Sequence, residues 1–599
     1  MDEQQIRHLV SDVKWGRLSR RQFTRTMIGF GLTAPFAAQI LAGAGVASAQ
    51  TRGTYTPTRR GGGGQLKVLW WQAPTLLQPH FANGTKDQDG SRIFYEPLAS
   101  YDPEGNLVPV LAAEIPSVQN GGVSRDGTTV TWKLKRGVNW HDGKPFTADD
   151  VVFNWEYSAD PATAAVTSGA YTDIARIDKV DSHTVKILFK KPTPFWSDAF
   201  CGASRGQVIP KHLFEAYKGG KSREAPNNTK PVGTGPYKLV DFKPGDTIRA
   251  ELFSGYHGAN RPHFDTFELK GGGDATSAAR AVLQTGEYDF AWNMQVEEEV
   301  LKRLEKGGRG RVEVAPGGNI EHIQLNQADP WKEVDGERAS VKTTHPFLTD
   351  AAVRGALNLL VDRASIHEEI YGRGGQSSAN FLNAPARFYS KNTKWEFNAE
   401  KASQLLDAGG WKRGGDGVRA KDGKRLKVVF QTSINAPRQK TQAIIKQACS
   451  RAGIDVEVKA IVASVFFSSD AGNPDTFPHF YSDLQMYNTT MGAPDPQYFM
   501  NQFTSWEIAS AANKWAGRNP TRWRSDEYDR LYRASEVEMD PVKRAANFIR
   551  MNDLVIRDVV VIPVLWRNVL SAASLKMKGA DISGWDSNLW NLANWYREG

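Results

Sequence analysis

The sequence predicts an α/β protein with mixed sheets, folded as two or three lobes. Runs with the period of a strand alternate with runs of helical period along the whole chain, the pattern of mixed α/β architecture. Of 599 residues, 550 lie beyond position 49, too many for a single hydrophobic core. No internal repeat competes with that reading.

The N-terminus reads as a targeting segment rather than as part of the fold. Ser19-Arg20-Arg21-Gln22-Phe23-Thr24 precedes a moderately apolar stretch, Met27–Val46, which ends in Ala47-Ser48-Ala49. A basic region, an apolar region and a small-x-small end describe a signal peptide over residues 1–49. The paired arginines and the Gly- and Thr-diluted core resemble a twin-arginine signal, which exports folded proteins. An ordinary secretory signal or an N-terminal anchor is the alternative. No Cys follows the apolar run, so no lipid anchor is expected, and no later window approaches the ~20 apolar residues of a membrane span. Residues 50–64 lack apolar periodicity and read as a flexible leader.

The formal charge is +9; residues 1–49 carry six Arg/Lys against three Asp/Glu, which leaves +6 beyond them. Those charges are scattered, so nucleic-acid binding has no support. Eighteen Trp and seventeen Tyr are a high aromatic load, suited to a core and to ligand-cleft walls.

The fold begins with an apolar strand over 65–71. The most informative stretch is 126–157. Val130, Trp132 and Leu134 alternate with Thr131, Lys133 and Lys135, a strand with one buried face. Gly137 and His141-Asp142-Gly143 supply turns, and Pro145 stops the ladder. Thr147 followed by Asp150 forms a capping-box pattern opening a helix through Val151, Val152 and Trp155. Further strands are predicted over 184–189, 247–252, 426–431 and 559–565, and helices over 274–286, 350–360, 399–408, 438–452 and 540–557.

Strand, HDG turn, PFTADDV and helix, in that order, resemble the signature of the extracytoplasmic solute-binding proteins of family 5, the peptide and nickel type that serves ABC importers. The resemblance continues through PVGTGPY (231–237), AVLQTGEYD (281–289), HPFLTDAAVRGALNLLVD (345–362) with Arg363, KASQLLDAGG (401–410), residues 417–431, SDEYDRL (525–531) and VVIPVLW (560–566). It covers nearly everything from residue 65 onward. It implies a periplasmic-binding-protein-like fold of type II, cluster C, with two large hinged lobes and a small inserted one. Lobe I would combine 65–94, 201–316 and 566–599; the inserted lobe would span 95–200 and lobe II 317–565. It further implies a soluble periplasmic monomer without cofactor, metal or catalytic activity. Such a protein captures a peptide-like or other polar organic solute by Venus-flytrap closure and passes it to ABC permease subunits, after export by the twin-arginine machinery. A periplasmic hydrolase or peptidase, a binder of a glycoside, opine or metal chelate, and a chaperone-like or adhesive role are the alternatives.

Several catalytic and metal patterns carry little. Gly202–Gly206 matches G-x-S-x-G, but the extended Gln207–Pro210 follows where a nucleophile elbow needs a helix. His367-Glu368-Glu369 has Tyr371 where a zinc helix needs its second His. His257 and His263 flank Pro262 in a loop and read as surface or capping residues, and Gly61–Gly64 lacks a following GK[ST]. Cys201 and Cys449 stand 248 positions apart; Cys449 lies near the end of an amphipathic helix and reads as a buried free thiol.

By resemblance to the family's cleft, four segments should meet a ligand: 75–92 with His80, Asn83 and Asp87; 291–294 with Trp292 and Asn293; 431–438 with Gln431, Asn435 and Arg438; and 486–495 with Tyr487, Asn488, Thr490 and Asp495. In peptide-binding members a carboxylate stands about four positions before the Pro of the last segment and pairs with the ligand's ammonium. Here Thr490 occupies that place relative to Pro494, unless Asp495 or Asp483 compensates through a shifted register. A neutral hydroxyl does not replace a buried carboxylate opposite a buried ammonium.

Overall fold

The computed structural model describes residues 56–468 and 470–598 and the isolated positions 9, 23, 26 and 27. The other residues of 1–49, where a signal peptide with its arginine pair is expected, and most of the expected leader 50–64 lie outside the described residues.

One mixed sheet organises the body, residues 57–598. Its strands are Gln65–Trp70 (β1), Tyr237–Lys243 (β5), Thr247–Leu252 (β6), Thr266–Gly271 (β7), Phe290–Ala291 (β8), Gly310–Leu325 (β9), Lys427–Ser433 (β10), Asp455–Ile461 (β11), Leu484–Thr489 (β12) and Val561–Ser574 (β13). β2 to β4 belong to the separate sheet described below. The order is β11-β10-β12-β9-β13-β8-β1-β7-β6-β5, with Gly375–Ser377 added alongside β13. β1 runs parallel to β8 and β7, and β10 parallel to β11 and β12, whereas β9 and β13 pair antiparallel. The two longest strands therefore lie at the centre and join two smaller sheets into one.

The β9–β13 ladder is irregular at two places, between Ala315 and Asn319 and, more mildly, between Glu321 and His322. Gly310 to Ala315 pair with Ser574 to Val569, the register then fails across Pro316-Gly317-Gly318, and pairing resumes at Asn319 opposite Arg567. Pro316 offers no N–H to the ladder. Gly317 lies beside Gly584, where a Cβ would sit 2.5 Å from the Gly584 carbonyl oxygen. Neither long strand is predicted whole by the sequence: the expected strand over 559–565 continues to Ser574, and the Pro-Gly-Gly of β9 reads locally as a turn.

Thr129–Lys133 (β2), Ile174–Asp181 (β3) and Thr184–Phe189 (β4) form the separate antiparallel sheet β2-β4-β3. Val130 and Trp132 are buried while Thr131 and Lys133 are not, as the alternation requires. Helices are labelled from Thr85–Ser91 (α1). Ala148–Ala159 (α2) begins at the Thr147 capping box, with Asp150 reaching back to the Thr147 N–H at 2.9 Å. The later helices Ala275–Leu283 (α3), Ala351–Leu359 (α4), Ala399–Ala408 (α5), Ala436–Ala452 (α6) and Pro541–Arg557 (α7) open on Asp274, Asp350, Asn398, Asn435 and Asp540. Each cap side chain accepts an otherwise orphaned first-turn N–H.

Two of the sequence motifs meet in space. The His141 N–H donates to the Gly233 carbonyl at 2.8 Å, the Gly233 N–H donates to His141 Nδ1 at 3.1 Å, and His141 Nε2 reaches the Gly235 carbonyl at 3.0 Å. Glycine is required at 233, because a Cβ would lie 1.8 Å from the Phe94 carbonyl oxygen. Burial lowers the His141 pKa to about 4, so the ring stays neutral and satisfies one donor and one acceptor. His257 is not a surface residue: it pairs with buried Glu96 at 2.8 Å. Burial would raise the Glu96 pKa, but His257, Arg92 and Thr234 outweigh it and hold it at about 2. Cys201 and Cys449 are both free and buried. No helix among the described residues is long and apolar enough to cross a membrane.

Candidate ligand cavity

A cavity of about 280 Å³ opens where the chain crosses between the two parts of the sheet. Its walls come from the α1 region, the turn at 203–205, residues 292–295, the β9–β13 break, the end of β12, and the segments 515–518 and 584–588.

Seven of the eleven residues chosen from the sequence line it: Asn83, Trp292, Asn293, Arg438, Tyr487, Asn488 and Thr490. Trp292 stacks on Trp70 with ring centroids 4.9 Å apart and donates its indole N–H to Asp89 at 2.9 Å. Asn293 takes a left-handed conformation (φ 57°), and its carbonyl accepts the Trp71 indole N–H. Tyr487 packs against His322, and its hydroxyl accepts from Gln324 at 3.1 Å.

The other four chosen residues do not line the cavity. His80 is fully buried between Thr167 (2.8 Å) and Asn154 (2.9 Å), and burial lowers its pKa to about 4; it closes a core network. Gln431 bonds Gln485 across two buried strands. Asn435 caps α6 by accepting the Arg438 N–H. Asp495 is held by the Arg544 guanidinium at 2.5 and 2.8 Å and caps the Gln497 N–H. Nor does Asp483 supply a substitute carboxylate, being bound to His345, Trp331 and the Val429 N–H. Asp87 is likewise internal, paired with Lys86 and accepting the Thr75 N–H.

The structure adds residues that sequence reasoning missed: Asp89, Arg205, Gln295, Asn319, Trp515, Arg518, Arg567 and Asp586. Asp89 lies inside the expected segment 75–92, Arg205 inside the G-x-S-x-G match, and Gln295 and Arg567 one position past the 291–294 and VVIPVLW segments; the others lie in segments without a distinguishing pattern. Burial raises Asp89 to about 7, against hydrogen bonds from Trp292 and Ser587, so it is a weak anion at neutral pH. Burial also raises Asp586, which accepts the Tyr101 and Ala203 N–H groups. Buried Glu321 lies between Arg438 (2.6 Å) and Arg567 (3.0 Å); burial opposes its charge, but the two guanidiniums prevail and its pKa is lowered. Several buried atoms of cavity-lining residues have no hydrogen-bond partner among the described residues, among them Gln295 Oε1, Asn319 Oδ1 and Arg567 Nε.

Ser204 of the G-x-S-x-G match lines the cavity, but no histidine bonds its hydroxyl, and the following residues are extended rather than helical. Among the described residues no group of three or more His, Cys, Asp or Glu is placed to hold a metal ion. What the site offers is aromatic walls, amides and cationic side chains, which is equipment for binding.

The family model described as bacterial extracellular solute-binding proteins, family 5 Middle, matches residues 106–510. The glutathione-binding protein GsiB of Escherichia coli (strain K12) is 26% identical over 515 residues, covering 84% of this chain and 89% of that protein. The oligopeptide-binding protein AppA of Bacillus subtilis, solved with a nonapeptide, superposes with a TM-score of 0.76 at 23% identity, covering 91% of this chain and 100% of that one. AgaA, solved in complex with agropinic acid and from A. tumefacien R10, superposes with a TM-score of 0.71 at 19% identity, over 90% of this chain and 99% of that one. The fold is that of the type II periplasmic binding proteins.

Proposed function

Because the chain belongs to the bacterial extracellular solute-binding proteins of family 5, we propose that it captures a peptide-like or other polar organic solute in this cavity. It works in the periplasm as a monomer, exported through its twin-arginine signal, and hands the solute to the permease of an ABC importer without chemical turnover. The observation that carries this reading is a walled cavity whose buried Gln295, Asn319 and Arg567 atoms lack hydrogen-bond partners among the described residues. Such atoms are costly unless a ligand satisfies them.

The lobes divide as the family resemblance implies, 65–94, 201–316 and 566–599 against 317–565, with 95–200 inserted. The ladder break at Pro316–Gly318, between the pairs Ala315–Val569 and Asn319–Arg567, supports this division. A ladder interrupted where the chain crosses is a natural hinge, and a ligand touching both lobes favours the closed form.

The test is thermal unfolding with small peptides, glutathione and glycosides, followed by product analysis. A raised midpoint with intact ligand is expected; turnover in contaminant-free protein favours the hydrolase reading instead. In the Thr490→Asp variant, peptides with a free ammonium should gain affinity.

A further inference from the structure

The charges around the cavity are unevenly paired. Lys86, Arg205, Arg438, Arg518 and Arg567 line it, against the carboxyl groups of Asp89 and Asp586. Lys86 is neutralised by Asp87 at 2.8 Å, and Arg205 lies 3.4 Å from Asp198. Arg438 and Arg567, however, share one carboxylate, Glu321, in a site where all three side chains are almost wholly buried. Arg438 takes the larger part of it: its Nε and Nη2 both reach Glu321, and its Nη1 donates to Ser433 at 2.8 Å. Arg567 has a single hydrogen bond to Glu321, and its Nε has no partner. Directly across the ladder stands Asn319, whose Oδ1 is also buried and unpartnered. Arg518, which has Glu507 beside it, also stands at the wall, its guanidinium 3.9 Å from the centre of the Tyr498 ring.

A buried guanidinium that shares its carboxylate with a second guanidinium and keeps an unused donor has room for an anion. Position 490 is Thr, Asp483 and Asp495 are committed elsewhere, Asp89 accepts the Trp292 indole N–H, and Asp586 accepts the Tyr101 and Ala203 N–H groups. We propose that the solute is acidic, with an anionic oxygen group seated on Arg567 beside Asn319 at the β9–β13 break, and that binding does not depend on a free ammonium. The unpartnered amide oxygens of Asn319 and Gln295 then take N–H donors of the same solute. This rests on the binding reading above and assigns the chemical class of its ligand. It also places the anion on the two strands that cross the molecule, where binding and closure meet.

The test uses the full chain and four probes in titration calorimetry: N-acetyl-dialanine (carboxylate, no ammonium), dialanine amide (ammonium, no carboxylate), N-acetyl-dialanine amide (neither) and glutathione. The two acidic probes should bind at least about 30-fold tighter than the two amides, and Arg567→Gln should remove that difference. Arg567→Lys should retain part of it. The unliganded Arg567→Gln protein should melt at or above the wild-type temperature, because Glu321 keeps Arg438; a purely structural Arg567 would instead lower it. Equal or tighter binding of the amides, or unchanged affinity in Arg567→Gln, overturns the proposal while leaving the binding function intact. If no probe binds, native mass spectrometry of protein from its own host decides: a co-purified acid supports the proposal, and a neutral or cationic ligand overturns it. If no ligand is found by either route, the binding function itself fails.

Discussion

The corner around His141 and the cavity around Arg567 are built from similar materials and finished differently. At the corner, both ring nitrogens of a neutral imidazole and the backbone groups of Gly233 and Gly235 satisfy one another, and nothing is left for an outside partner. At the cavity, two guanidiniums share one carboxylate, and buried atoms of Arg567, Asn319 and Gln295 are unpaired. The first arrangement is what stability alone favours, and it coincides with the motifs that make the chain recognisable. The second sacrifices stability, and such sites are where function is expected. A motif that identifies a family therefore need not be the place where the family's members differ in ligand.

Changing these two regions tests that contrast, from the largest expected effect to the smallest. Glu321→Gln should cost ~3–5 kcal/mol in urea unfolding, because it leaves two buried guanidiniums without their anion. Arg567→Gln, in contact with the same carboxylate, should cost nothing; equal losses in the two variants would end the contrast. Trp292→Ala should cost ~3–5 kcal/mol as well as ligand affinity, since the ring is 3% exposed, stacks on Trp70 and bonds Asp89. Separating the two effects needs Trp292→Phe, which keeps most of the packing and loses only the indole N–H. Gly233→Ala should cost ~3 kcal/mol or reduce soluble yield, from the clash with the Phe94 carbonyl, without altering the cavity.

The smallest effect is a pH dependence. The folded pKa of His141, about 4, lies below the unfolded value near 6.5. Between those values the unfolded chain binds the extra proton, so this residue's contribution is full above pH 6.5 and declines as pH falls towards 4. His141→Gln should therefore be less stable than wild type at pH 7.5, with the gap narrowing by up to ~2 kcal/mol at pH 4.5. A gap independent of pH would mean that the ring is not held neutral.

Local signals survived folding wherever the pattern repeats within a few residues. The strands over 184–189 and 247–252 and the helix over 399–408 stand where the sequence places them, and Thr147, Asp274, Asp350 and Asp540 act as caps. Of the two long central strands, β13 was predicted only in its first part, over 559–565, and β9 was missed because Pro316-Gly317-Gly318 is locally indistinguishable from a turn. Only pairing with β13 on both sides of the break makes it the middle of a strand. In the cavity, Trp292, Tyr487, Arg438 and Thr490 were within reach of the sequence because family segments carry them. His80, Gln431, Asn435 and Asp495 lie in those same segments yet turn inward to bond Asn154, Gln485, the Arg438 N–H and Arg544.

By itself, the sequence determined the α/β class, the caps and turns, and the family, because period, capping chemistry and motif order are properties of neighbouring residues. Tertiary structure alone decided which polar groups remain unpaired. Glu321, Arg438 and Arg567 are separated by more than a hundred positions, and their charge balance exists only once β9, α6 and β13 are brought together. Hydrogen bonding and burial are sums over neighbours in space, and the chain does not list those neighbours in order.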